Sequence, residues 1–176
     1  MFKKALVAAA LLSAFSFNAA NAVDGTITFT GRIIATTCDI NGGPGGSVDI
    51  PVAMGTYGAD QFGASGSTVG SVPFQIALTN CDAALTSASV LFEGTQDAAN
   101  PQLLALTTGG TTADNVGIGI YESNGSTQIP LNTSSASQTL NGNAATLNFI
   151  AKYVSTDATV TEGDANAVAN FTIQYP

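Results

Sequence analysis

An all-β, antiparallel sandwich is the fold this sequence predicts, and three features predict it. Apolar and polar residues alternate with period two in several short segments, as they do in strands buried on one face. Turn signals rich in Gly, Pro and Asn separate those segments. No stretch places apolar residues at helical spacing over three or more turns, and no internal repeat is present.

The clearest alternation lies near the start, where residues 25–34 read Gly-Thr-Ile-Thr-Phe-Thr-Gly-Arg-Ile-Ile. Ile27, Phe29 and Ile33 share one parity with Gly25 and Gly31, while Thr26, Thr28, Thr30 and Arg32 share the other. β-branched and aromatic residues suit a pleated, half-buried strand. On this stretch alone two readings stay open: the first strand of an ordinary sandwich, or a strand shaped to complete another molecule.

Residues 1–22 read as a signal peptide and are set aside from the fold. Lys3 and Lys4 form a basic start, residues 5–12 are apolar and uncharged, and Ala20-Asn21-Ala22 supplies the small residues read at cleavage. The apolar run is too short for a membrane span. Cleavage after Ala22 leaves residues 23–176, a suitable length for one domain with one core. No later apolar stretch is long enough to cross a bilayer, so no direct membrane insertion is expected.

Past Ala22 only Arg32 and Lys152 are basic against twelve acidic residues, a formal charge of −10. That balance excludes nucleic acid and anionic lipid as partners, since both require clustered Lys or Arg. Charged residues are nevertheless only 9% of the whole chain, so the surface is mostly hydroxyl, amide and small side chains. Such a surface suits an exported protein that packs against copies of itself. The two cysteines, Cys38 and Cys81, imply a disulfide behind an export signal, with two free thiols as the alternative.

Residues 35–40 continue extended to Cys38, and Asn41-Gly42-Gly43-Pro44-Gly45-Gly46 is a turn. Residues 47–53 alternate again, with Val48, Ile50 and Val52 on one face. A loop is expected over 55–70, then strands over 72–78 and 87–93. Residues 102–108 suggest a single helical turn. Residues 115–121 and 128–131 form a hairpin about an Asn-Gly turn at Asn124-Gly125, and 132–143 is a polar connection with one short strand. Residues 146–154 give the strongest central strand, with Leu147, Phe149, Ala151 and Tyr153 on one face. Residues 155–166 are polar, and 167–175 form the last strand, with Ala169, Phe171, Ile173 and Tyr175 on one side.

Taken in this order, the chain resembles the pilin subunits of chaperone–usher pili, the type 1-like fimbrial subunits in particular. The alternating arm with Gly31 inside it, the Cys38 to Cys81 spacing, the 115–131 hairpin and the terminal block 147–176 all contribute to the resemblance. In that block Gly163 is fourteenth from the end, Phe171 and Ile173 alternate, and Tyr175 is penultimate. The resemblance implies an incomplete immunoglobulin-like β-sandwich lacking its last strand, with 1–22 as signal peptide, 23–34 as N-terminal donor-strand extension and 35–176 as pilin domain. It implies a donor strand of Gly25, Ile27, Phe29, Gly31 and Ile33. It also implies an acceptor groove and chaperone-recognition strand marked by Gly163, Ala169, Phe171, Ile173 and Tyr175. The expected partners are other copies or sibling pilins, a periplasmic chaperone and an outer-membrane usher, with export through the periplasm to a surface fimbrium. Completion of a sheet by a neighbour's strand is a known form of β-strand addition.

Elementary physics points the same way. An apolar final strand with no strand after it is an exposed, aggregation-prone edge unless something covers it. The opening strand folding back to give a closed sandwich is the alternative that the sequence leaves open.

Catalysis is not expected. With no histidine, Ser-His-Asp and Cys-His arrangements are impossible, and neither a metal nor a cofactor is expected. Asp39-Ile40-Asn41-Gly42 resembles the start of a calcium loop but lacks the closing acid, so it reads as a turn. Residues 42–47 lack the lysine of a phosphate loop, and Lys152 reads as a solvated or paired surface charge. Asn124, Asn132 and Asn170 open glycosylation sequons, which the bacterial export route implied by the resemblance leaves unmodified. The competing role is a minor tip, adaptor or adhesin subunit. Tip adhesins of this family add a lectin-like domain and lack a donor arm, whereas this chain has the arm and no Trp to stack on a sugar. A closed monomeric sandwich that binds a periplasmic ligand is a third reading.

Overall fold

A computed structural model of the chain describes residues 26–31, 37–43 and 48–176. The contacts divide it into two units, Met1–Ile33 and Ile34–Pro176. The expected signal peptide, Gly25, and Arg32 and Ile33 lie outside the described residues. In the first unit residues 26–31 form no strand, and Ile27 and Phe29 are 82% and 90% exposed.

The second unit is an antiparallel two-sheet sandwich of the immunoglobulin-like kind. Its strands are β1 (Asp39–Ile40), β2 (Thr68–Thr79), β3 (Ser87–Gly94), β4 (Val116–Glu122), β5 (Gln128–Ile129), β6 (Gln138–Thr139), β7 (Ala145–Ser155) and β8 (Ala169–Gln174). A single 3-10 turn, Ala59–Gln61, precedes β2. One sheet has the order β1-β2-β7-β4-β5 and the other the order β6-β3-β8. Period two dictates the core between them. Leu147, Phe149, Ala151 and Tyr153 of β7 point inward and are buried, as expected, together with Ile76 and Leu78 of β2 and Ile118 and Ile120 of β4. Val90 and Phe92 come from the opposite sheet. Phe92 meets Phe149 edge-to-face across the sandwich at 5.1 Å between centroids, and Phe149 meets its ladder partner Phe74 at 5.5 Å. Aromatic pairs of this kind contribute beyond the area they bury.

Cys38 and Cys81 are joined, with 2.04 Å between the sulfurs, both side chains being buried. The bond ties the start of β1 to the end of β2 and closes a separation of 43 residues. In the chain-entropy account such a loop stabilises by about 4 kcal/mol. Asn41 completes the expected turn: its Oδ1 accepts from Ala77 N at 2.8 Å, and Asp39 accepts from Asn80 Nδ2 at 2.7 Å. The one acid and the one amide of the calcium-like stretch, Asp39 and Asn41, are therefore both engaged in hydrogen bonds to β2 and the residue after it.

Three expectations are corrected. β2 begins at Thr68 rather than at residue 72, because a bulge shifts the register between Val69 and Val72 and lets the strand continue past Gly70. Residues 102–108 are not a helical turn. Leu104 bridges to Gln96 and to Ile118, and the segment lies across β4 with Leu104 in the main core and Leu103 in a second cluster with Tyr121 and Val154. A Cβ at Gly117 would come within 2.9 Å of Leu104 O and 3.1 Å of Leu103 Cβ, so glycine in β4 is what allows that crossing. The third correction concerns residues 48–53, expected as a strand. Burial alternates there, with Ile50, Val52 and Met54 packed on the core, but no ladder forms among the described residues.

Gly163 is fixed by an equally close contact. A Cβ there would meet Thr111 O and the Ala113 nitrogen at 2.4 Å, backbone atoms that cannot step aside. Around it Ala113 N donates to Asp164 O at 3.0 Å, and Thr111 Oγ1 donates to Asp164 Oδ2 at 2.7 Å. Gly163→Ala is expected to lower stability by about 1–3 kcal/mol, as forced local strain does. Gly110→Ala, in open space, should stay within about 0.5 kcal/mol of wild type. Urea unfolding of the chain from residue 23 onward compares the two, and equal midpoints would refute the role given to Gly163.

Candidate functional site

β8 pairs with β3 from Ala169 opposite Gly94 to Gln174 opposite Ser89, and it is the edge of its sheet. Among the described residues no strand pairs with its other side. Its side chains alternate as the sequence predicts: Ala169, Phe171, Ile173 and Tyr175 pack toward the core, while Asn170 and Thr172 are exposed. Every second N–H and C=O of the outer edge is thus left without a ladder beside an apolar row, an arrangement that favours pairing with another strand.

A groove of about 790 Å³ runs along that edge. One wall is residues 165–171 and the other is residues 48–55, the segment that alternates without a ladder. Between them the floor is core: Phe74, Ile76, Phe92, Leu104, Ile118 and Ile120 line it, with Ala151 and Tyr153 of β7. Alanines at 165, 167 and 169 keep the β8 side low, and Phe171 marks the far end of that wall. The site contains no charged floor residue and, among the described residues, no cluster suited to a metal. It can hold an extended apolar strand, offering it backbone hydrogen bonds on the β8 side and a hydrophobic bed beneath.

The predicted site residues fall in different places. Ala169 and Phe171 line the groove. Ile173 and Tyr175 continue the same apolar face beyond it, packed on the core. Burial pushes the Tyr175 phenol above its ordinary range, with a hydrogen bond to the Cys38 backbone opposing the shift. Tyr175 therefore ends the row beside the disulfide. Gly163 is not in the groove lining; it lies at the 111–113 contact described above. Of the expected donor residues, Ile27, Phe29 and Gly31 are exposed in the first unit. Sequence reading assigned none of the floor residues to the site, although it placed Ala151 and Tyr153 on the apolar face of one strand. For most of them the signal was available in the inward parity of β2, β3, β4 and β7; Leu104, from the segment between β3 and β4, had none.

Lys152 is paired, as the sequence reading allowed. Its Nζ donates to Gly125 O at 2.6 Å and lies 4.8 Å from the centre of the Tyr121 ring, holding the β4–β5 turn over the outer face of the large sheet.

Comparison with known proteins gives this geometry its family. The probable major fimbrial subunit LpfA of Escherichia coli O157:H7 is 39% identical over 175 residues, covering 97% of this chain and 94% of that one. A solved antigen and type I fimbria protein of Burkholderia pseudomallei is 40% identical with a TM-score of 0.61, over 86% of this chain and 97% of that one. A solved subunit from a chaperone–usher pilus shares the fold at 23% identity and a TM-score of 0.62, over 88% of this chain and 96% of its own. The family model described as fimbrial protein matches residues 27–176, and the chain belongs to that family.

Proposed function

We propose that this chain is a structural subunit of an adhesive surface pilus that polymerises by donor-strand exchange. The arm from Val23 to residue 34 of one copy lies in the groove beside β8 of the next, antiparallel to it. Ile27, Phe29 and Ile33 face the floor, and Gly31 meets a shallow part of the groove. The observation that supports this reading best is the open apolar edge of β8 standing over a floor of core side chains. The exposure of Ile27 and Phe29, large apolar groups of one parity, supplies a matching occupant.

A periplasmic chaperone would cover the same edge before assembly, and an outer-membrane usher would receive the complex. The leader-like residues 1–22 supply the export route. A shaft role rather than a tip role is supported by the presence of a donor arm and by the near full-length likeness to a relative named as a major fimbrial subunit. The chain acts through binding: the floor of the groove carries no charged side chain, and Asp49 on its wall is the one carboxylate among the lining residues.

Side-chain period two makes the register of the arm strict, since a shift of one residue would turn the threonines to the floor. Deleting residues 23–30 should leave a subunit that accepts a donor but cannot donate, so added in trace it shortens fibres. Appending a second copy of residues 24–34 after Pro176 through a flexible linker should fill the groove in cis, giving a monomer whose melting temperature rises by roughly ten degrees or more. An appended copy that changes neither the melting temperature nor assembly would mean that the sandwich is closed.

Phe171→Asp places a charge on the groove wall and removes its largest apolar side chain. Chaperone capture should be lost and the chain degraded during export, whereas Thr172→Asp, on the exposed parity, should be captured normally. Co-purification with the chaperone reads both, and equal yields for the two variants would contradict the assignment of the face.

A further inference from the structure

We propose that Tyr153, backed by Tyr57, is a positioning residue that holds the two walls of the groove at the separation a donor strand needs; the proposal rests on the acceptor reading above. The wall beginning at residue 165 is pinned by three successive carbonyls. Asp164 O accepts from Ala113 N at 3.0 Å, Ala165 O from the Tyr153 hydroxyl at 3.0 Å, and Asn166 O from Thr107 N at 2.7 Å. The first and third tie the wall to the 107–113 segment. Only the second ties it to the floor, because Tyr153 belongs to β7 and lines the groove.

The opposite wall reaches the same side chain. Residues 48–55 have no ladder of their own, and the chain leaving them places the Tyr57 ring edge-to-face on Tyr153, with centroids 6.1 Å apart. The Tyr57 ring is seated over Gly70, at the β2 bulge, where φ is +73° and an added Cβ would lie 2.9 Å from the ring. A bulge glycine thus makes room for one tyrosine, which packs on a second, whose hydroxyl holds the far wall. Burial and the neighbouring Tyr57 hydroxyl both raise the Tyr153 pKa, in keeping with two phenols brought close together.

An unfilled hydrophobic groove gains by collapsing, since closing its walls removes apolar surface from water. A strut with one hydrogen bond and one ring contact opposes that collapse at low entropic cost, since a tyrosine has only two side-chain torsions to fix. The strut matters while the groove is empty. Once a donor lies between the walls, the donor itself holds them apart.

That asymmetry gives the test. A fluorescent peptide of residues 24–34 is added to the chain from residue 23 onward and its uptake rate is measured. Tyr153→Phe should slow uptake by about tenfold, the order expected from losing one partly buried hydrogen bond. Tyr57→Leu should slow it similarly, and Tyr57→Phe, which keeps the ring, should not. In the variant carrying an appended donor in cis, Tyr153→Phe should leave the melting temperature within about two degrees of its parent. Uptake by Tyr153→Phe at the wild-type rate overturns the strut and leaves the acceptor reading intact. Equal destabilisation of the filled and empty forms also overturns it, by making Tyr153 an ordinary core residue. A wild-type chain that takes up no peptide overturns the acceptor reading and the strut with it.

Discussion

The structure of this fimbrial subunit turns on one unmet requirement, the ladder that the outer edge of β8 lacks. A strand edge must find hydrogen-bond partners, and an apolar face must find cover. On its inner edge β8 meets both needs through six paired positions with β3 and through contacts of Ala169, Phe171, Ile173 and Tyr175 with the core. On its outer edge, among the described residues, no strand pairs with it. The opposing segment 48–55 keeps the alternation of a strand but, among the described residues, forms no ladder. Between that segment and β8 lies a groove of about 790 Å³, lined by both.

What keeps that groove from deforming the rest is close backbone contact elsewhere. Gly163 packs onto the 111–113 backbone, and Gly117 allows residues 103–104 to cross β4. The disulfide anchors β1 to the end of β2, near Tyr175. These contacts fix the polar connections outside the sheets, so the half-open core rests on a rigid frame. Removing the Cβ at such crossings has a conformational cost in the unfolded chain, which the close approach must offset.

How much of this was legible in the sequence depended on whether local pattern or distant contact decided the outcome. β7 and β8 were legible because each alternates strongly with its apolar face inward, and β3 and β4 because their β-branched and apolar residues suit strands buried on both faces, so local pattern and final environment agree. The β4–β5 turn was legible from Asn124-Gly125. The early start of β2 was not, because Gly70 reads as the end of a glycine-rich loop, whereas pairing with β7 across the sheet makes it a bulge inside the strand. The segment 102–108 was misread as helical because Leu103, Leu104 and Leu106 look like a helical turn, while their true partners lie on two faces of β4. The alternation of 47–53 was read correctly as a burial pattern and wrongly as a strand, since alternation predicts which side is buried and not whether a neighbour is present. Within the site, the apolar parity of β8 was visible and the floor was not. A floor is made by four strands and the 102–108 segment sharing a surface, and parity assigns them to the core without showing where the core is uncovered.

The same geometry bears on where the free energy of assembly would reside. Burying Ile27 and Phe29 contributes about 1.5–3 kcal/mol each. Ordering an arm of roughly ten residues opposes this by about 1–2 kcal/mol per residue. New ladder bonds at about 0.5–1.5 kcal/mol each reduce the deficit without turning the arm alone into a tight ligand. The remainder must come from the acceptor, whose floor residues and half-buried 48–55 wall have packing still to gain. Binding of this kind is folding completed by a second chain, and its strength scales with how unfinished the acceptor is. A groove held open on rigid walls keeps that gain in reserve, because a collapsed one would already have taken part of it.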